Sequence, residues 1–232
     1  MKDLPSKRNK CKDCGVKSSS VFNLNDEELD RLCKNSVEID FAKGEKIIKE
    51  GTFTQNIVFV KEGIYKIHQT GTGEKEEILK IDKGPAFVGI SDVFAHDVHS
   101  YSATALTAVK ACFIDYRGYR HLIENNGVFA LEVMHILSKD ITDNYRYFVD
   151  KIHKQLNAKL ADALIFFSDD IFNNDEIEIP LTRSELGEYI GTSRESVTKL
   201  LHDLIKDRVI EVEGKLTRLT NKELLKKISK AG

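Results

Sequence analysis

The sequence predicts an α+β chain in which an N-terminal β-rich unit, a long helix and a C-terminal helix pair with a β-turn-β appendage follow one another. Three observations predict it. Short apolar runs punctuated by glycine-containing turns fill residues 37–114. The apolar period then becomes helical, with no Gly or Pro between residues 128 and 156. After residue 181 two helix-start signals flank a single glycine.

The first 20 residues carry six basic and two acidic side chains, together with Cys11 and Cys14. They contain no continuous apolar stretch and read as a basic tail, neither a signal-peptide core nor a membrane span. LNDEELDRLCK follows as a short amphipathic helix, with Leu29 and Leu32 sharing a face with Cys33, which is expected in the core. The runs VEIDF, KIIKE, NIVFVKEG, IYKIHQT, EEILKI, SATAL and ACFIDY come next. They are separated by turns at Lys43-Gly44, Glu50-Gly51, Glu62-Gly63, Gly71 to Gly73 and Lys83-Gly84, and indicate a small barrel or a jelly-roll sandwich.

Met134, Leu137, Ile141, Tyr145, Phe148 and Ile152 are spaced 3, 4, 4, 3 and 4. Two parallel helices use such a stripe to coil together, which suggests a homodimer; a helix lying on its own domain is the other reading. KLADALIFF starts a further helix, and an acidic loop over 169–178 leads into the extended EIEIP, closed by Pro180.

Thr182 and Glu185 form a capping box flanked by Leu181 and Leu186, so a helix starts there. It ends at Gly191, where glycine permits a left-handed backbone, and Thr192-Ser193-Arg194-Glu195 opens the next helix. That helix buries Val197, Leu200, Leu201 and Leu204 and turns Arg194, Glu195, Thr198 and Lys199 outward. In a major groove Arg194 can fork to guanine O6 and N7, Glu195 can accept from a cytosine amine, and Lys199 can reach a guanine or a phosphate. An ordinary surface helix with a Glu195–Lys199 ion pair is the alternative. VIEVEGKLTRLTN, turning at Gly214, then reads as a wing that offers Lys215 and Arg218 to phosphates. The expected divisions are a tail over 1–20, a β unit over 21–120, the long helix over 121–155 and a DNA-binding domain over 156–232.

Composition constrains function. The 232 residues are 41% hydrophobic and 31% charged, which excludes collagenous and wholly disordered chains. Thirty-five Lys plus Arg against 37 Asp plus Glu give a net charge of −2, which argues weakly against a nucleic-acid partner. The distribution reverses that argument. Residues 162–188 hold eight acids against Arg183 alone, a net of −7, whereas residues 192–230 hold ten bases and six acids, a net of +4. The four cysteines are too sparse for a disulfide scaffold and fit a reducing, cytoplasmic setting. Neither a nucleophile-base constellation nor a glycine-rich phosphate loop is evident, so the chain reads as non-catalytic.

LTRSELGEYIGTSRESVTKLLHDLIKDRVIEVEG closely resembles the helix-turn-helix signature of the Crp/Fnr family of bacterial transcription regulators. KGEKIIKEG, FVKEGIYKI, GPAFVGISD and SATALTAVKACFI extend the resemblance to nearly the whole chain. It implies an N-terminal sensor domain of the cyclic-nucleotide-binding type, a double-stranded β-helix or jelly roll. It also implies a dimerisation helix and a winged helix-turn-helix. The implied partners are double-stranded promoter DNA with a two-fold symmetric site, a second copy of the chain, and RNA polymerase, with no membrane. Arg194, Glu195 and Lys199 match base-reading positions, Thr198 matches a further specificity position, and Ser193 belongs to the same DNA-binding set. A TTGAT-like or TGTGA-like half-site is implied.

The resemblance places an effector pocket at Gly89, Ile90, Ser102 and Ala103. Members that bind cyclic AMP carry a glutamate and an Arg-Ser pair there; the missing guanidinium removes a bidentate phosphate contact and argues against cyclic AMP. Cys11, Cys14 and Cys112 match three ligands of the iron-sulfur cluster in oxygen-sensing members. Ser20 stands where the remaining one belongs and Cys33 lies thirteen residues later. A cubane cluster uses four thiolates. A cluster, a thiol or zinc role, and a plain tail with Cys112 as a core thiol all stay open. Haem sensing also occurs in the family; His96 and His99, with Asp97, are the candidate pair here, in what reads as a solvated loop. The effector is unassigned. The expectation is a regulator that shifts how two recognition helices meet DNA; the alternative is a ligand-binding sensor acting through protein contacts.

Overall fold

The computed structural model describes residues 14–71 and 76–231. Cys11, most of the basic tail and Gly73 of one expected turn lie outside them. The chain forms two compact units, Met1–Gln69 with Ile81–Ile141, and Thr70–Lys80 with Thr142–Gly232.

In the first unit a short 3-10 turn, Ser19–Asn23, precedes α1, Asp26–Lys34. The Asn25 side chain accepts from the Glu28 amide and Glu28 accepts from the Asn25 amide, both at 2.9 Å, a reciprocal cap that satisfies two orphan donors. Leu32 is buried as expected, but Cys33 is only half-buried.

The jelly-roll alternative is the one adopted. One four-stranded antiparallel sheet has the order β1 (Ser36–Phe41), β8 (Val109–Asp115), β3 (Asn56–Glu62), β6 (Ala86–Val88). The other has the order β2 (Lys46–Ile48), β7 (Ser102–Ala105), β4 (Ile64–Thr70), β5 (Glu76–Lys83). The short β6 and the helix that follows it, α2 (Ile90–Ala95), are absent from the sequence reading.

The uninterrupted apolar run of β3 has a direct cause. Its period of two feeds two cores: Val58 and Val60 join Ile48, Tyr65, Ala103 and Ala111 between the sheets, while Ile57 and Phe59 join Leu32, Tyr119, Leu122 and Phe129 beneath the helices. Fully burying each such aliphatic or aromatic side chain contributes about 2 kcal/mol.

The stretch expected as one helix over 121–155 is two. α3, Tyr116–Asn125, ends before Asn126, whose φ of −129° and ψ of 97° leave the helical region. Asn126 Oδ1 then accepts from the Phe129 amide at 3.0 Å, capping α4, Gly127–His153. Its amide nitrogen donates to the Asn23 carbonyl and to Glu28, which fixes the break.

α4 has two apolar faces. Phe129 and Val133 are buried in the helix-side core and Leu137, one further turn along, packs against it. Leu137 therefore leaves the expected dimer stripe. Met134, Ile141, Tyr145, Phe148 and Ile152 remain outward, 51% to 69% exposed, with Leu131 at 65%. With Ser138 in place of Leu137 their spacing becomes a regular alternation of three and four.

In the second unit α5, Leu156–Phe166, runs into a π-helical turn, Phe167–Phe172. A three-stranded antiparallel sheet follows, ordered β10 (Ile210–Glu213), β11 (Leu216–Leu219), β9 (Glu176–Glu178). EIE thus becomes a third wing strand where two were expected. α6 (Arg183–Ile190), α7 (Arg194–Lys206) and α8 (Lys222–Lys230) pack on α5 and on each other around Leu160, Leu164, Val197, Leu201 and Leu225. Tyr147 of α4 stacks on Tyr189 of α6, ring centroids 5.9 Å apart. Three carboxylates of the acidic segment are paired inside its own unit: Lys222 pairs with Asp169 and Asp175, and Lys154 with Asp162. Lys222 and then Ser168 hold the Asp175 carboxyl below its ordinary pKa.

Candidate nucleic-acid interface and effector region

The turn between α6 and α7 fixes where the second helix points. Thr182 and Glu185 close the expected capping box, at 3.2 and 2.9 Å. Gly191 ends α6 with a φ of 78°, a left-handed backbone that glycine adopts without strain. The Thr192 amide donates to the Gly187 carbonyl at 2.8 Å, so Thr192 still belongs to the turn and the N-cap of α7 is Ser193, one residue later than expected. Ser193 Oγ accepts from the Ser196 amide at 3.2 Å. Gly187, missed by the sequence reading, is a second requirement of the turn: a Cβ there would lie 2.7 Å from the Thr192 carbonyl oxygen. A glycine inside a helix four residues before a capping glycine was the available signal.

α7 buries Val197, Leu201 and Leu204, half-buries Leu200, and exposes Ser193, Arg194, Glu195, Thr198 and Lys199. Among the described residues no ion pair involves Arg194, Glu195 or Lys199, so the Glu195–Lys199 pair of the alternative reading is not formed. The Thr198 hydroxyl donates to the Arg194 carbonyl at 2.9 Å. Glu195 has its pKa lowered by its own backbone amide and by Ser193, with Arg194 adding to the effect, so it is a ready acceptor at neutral pH.

The wing differs. The register places Arg218 opposite Glu211 on one side and Glu176 on the other. Its guanidinium engages both, at 3.2 Å and 2.6 Å. Lys215 lies 3.8 Å from Glu178. The basic groups expected to meet phosphates already have carboxylate partners, because the unanticipated third strand carries Glu176 and Glu178.

In the β-roll, Gly89 has a φ of 70° and precedes α2, its amide donating to the Tyr101 hydroxyl at 3.0 Å. Ile90, Ser102 and Ala103 are buried, and Ser102 Oγ accepts from the Glu50 amide at 3.0 Å. These positions offer no cation to a phosphate. His96 and His99 do not form a pair. His96 is exposed, whereas His99 is 6% exposed beside Asp92, so the loop is not solvated throughout. Burial lowers the pKa of His99 despite that carboxylate.

Cys14 and Cys112 line one small cavity with Lys17, Phe59 and Tyr119, and the Cys14 thiol donates to the Val16 carbonyl at 2.9 Å. Ser20, in the place of a family cysteine, is fully buried and bonded to Ser18 at 2.9 Å. Among the described residues no group of three or more His, Cys, Asp or Glu could hold a metal. The thiolate set of a cubane cluster is thus not assembled by them. None of the helices among the described residues is long and apolar enough to cross a membrane.

Comparison with known proteins agrees with both halves of the fold. The cyclic nucleotide-binding domain family matches residues 38–126 and the Crp-like helix-turn-helix domain family matches residues 158–228. The fumarate and nitrate reduction regulatory protein of Vibrio cholerae is 26% identical over 93% of this chain and 88% of its own length. The transcriptional activator protein FnrA of Stutzerimonas stutzeri is 24% identical over 90% of this chain and 88% of its own. FixK2 of Bradyrhizobium japonicum shares the fold with a TM-score of 0.75 at 15% identity, over 83% of this chain and 96% of that one. From these matches, the β-roll and the helix-turn-helix, the chain belongs to the Crp/Fnr family of DNA-binding transcription regulators.

Proposed function

We propose that the protein is a homodimeric, non-catalytic regulator in which α7 reads a two-fold symmetric promoter site. Arg194, Glu195 and Lys199 meet base edges, and Thr198 and Ser193 add local contacts. The observation that carries this reading is the outward set Arg194, Glu195 and Lys199, in no ion pair among the described residues, on a helix whose opposite face buries Val197, Leu201 and Leu204. A guanidinium and an ammonium without an internal ion pair have none to break when they meet guanine or phosphate. Members of this family bind DNA and act as dimers, and the outward stripe of α4 is the surface we assign to that dimer. In that arrangement the Tyr147–Tyr189 stack joins the C-terminal half of α4 to α6, a route by which a change along α4 alters the presentation of α7. RNA polymerase is the further partner, and the cytoplasm the setting.

The test is binding to a palindromic site selected from random DNA, measured across salt concentrations for the native chain and for the double variant Arg194→Ala, Glu195→Ala. Two lost base contacts per half-site lower the specific affinity by about 100-fold or more, with non-specific binding less affected. Unchanged specific affinity would show that the chain acts through protein contacts instead.

A further inference from the structure

The β-roll unit contains a cavity of about 280 Å³ lined by none of Gly89, Ile90, Ser102 or Ala103, and by no residue of α4. Ile48 and Val58 form its buried apolar wall, with half-buried Phe113 beside them. Lys46 and Lys49 line its exposed side. Neither ammonium is in an ion pair among the described residues. Thr52, Gln55, Asn56 and the buried His99 line the rest of it, with Ile47 and Phe53.

We propose that this cavity is a binding site for a small organic monocarboxylate, its apolar body on Ile48, Val58 and Phe113 and its carboxylate between Lys46 and Lys49. The combination of apolar wall and cationic rim selects the class. An inorganic anion would leave the apolar wall in water, and a neutral hydrocarbon would leave two ammonium groups without a partner. A volume near the lower end of small-molecule sites favours one ring or a short branched chain. The cavity is independent of the DNA-reading assignment, and its test needs no DNA.

The full chain, labelled at Ile and Val methyl groups, is titrated with sodium benzoate, with benzamide and with inorganic phosphate. Benzoate should give saturable shifts at the Ile48 and Val58 methyls. Benzamide and phosphate should each bind about ten-fold more weakly or worse. The double variant Lys46→Gln, Lys49→Gln changes exposed side chains only and should keep its thermal midpoint while losing benzoate affinity about ten-fold. No saturable shift at these methyls by about 20 mM benzoate overturns the proposal. Equal binding of benzamide or phosphate, or of benzoate by the double variant, also overturns it.

Discussion

The recognition helix and the wing sit in one small domain and both carry basic side chains, yet their charges are in opposite states. Among the described residues, Arg194 and Lys199 of α7 form no ion pair. On the wing, Arg218 lies between Glu176 and Glu211, its direct neighbours across two strand pairings. The net +4 of residues 192–230 therefore describes neither of them: α7 contributes +1, the wing cancels, and α8 carries +3. What matters for a phosphate is the charge a side chain still has to give, and strand register decides that as much as composition does.

The largest test of this contrast removes the geometry that presents α7. Gly187→Ala puts a Cβ 2.7 Å from the Thr192 carbonyl, a backbone atom that cannot step aside without moving the turn. The gain in helix propensity is about 1 kcal/mol, whereas overpacking against the backbone costs about 2 to 3 kcal/mol. The thermal midpoint of the C-terminal unit should fall, and DNA affinity with it; an unchanged midpoint would mean the turn is looser than its hydrogen bonds indicate.

Lys199→Ala comes next. Removing an unpaired cation from the reading face should cost about 1 to 3 kcal/mol of specific binding. If its partner is a phosphate, the slope of log affinity against log salt also falls by about one ion. Glu195→Gln is expected to be milder, costing about 1 kcal/mol and relaxing preference at one base pair. Its lowered folded pKa means that the native preference is already present above the ordinary carboxylate range. That preference fades only as acid takes the pH down through the lowered value. The Gln variant, with nothing to titrate, should show no such fade in a base-preference assay run against pH.

The legible and illegible parts of the chain divide along the same physical line. Elements set by local spacing were readable: the Thr182 capping box, the glycine end of α6, and the buried face of α7 formed by Val197, Leu201 and Leu204. Features set by a partner distant in sequence were not. The break at Asn126 depends on Asn23 and Glu28 about a hundred residues earlier. Leu137 fits a dimer stripe by spacing, yet the first unit's core captures it because Phe129 and Val133 place that face inward. His99 reads as a loop residue until Asp92 and the Gly89 backbone surround it. The N-cap of α7 shifted from Thr192 to Ser193 for a local reason, since the Thr192 amide is already used by Gly187.

The smallest expected effect is the sharpest discriminator. Arg218→Ala removes a cation whose two partners are themselves exposed carboxylates, so the local charge is already net negative before DNA arrives. Exposed ion pairs are worth only about 0 to 1 kcal/mol, so stability should change little. The loss in DNA affinity should stay within about three-fold, with almost no change in salt slope. The complementary double variant Glu176→Gln, Glu211→Gln should do the reverse, releasing the guanidinium and tightening binding as salt is lowered. Should Arg218→Ala instead lose as much affinity and slope as Lys199→Ala, the guanidinium must exchange its carboxylates for phosphate on binding. The cheapness of an exposed pair permits that exchange. The wing would then differ from α7 only in the free chain, and the order of the two salt slopes decides between these outcomes.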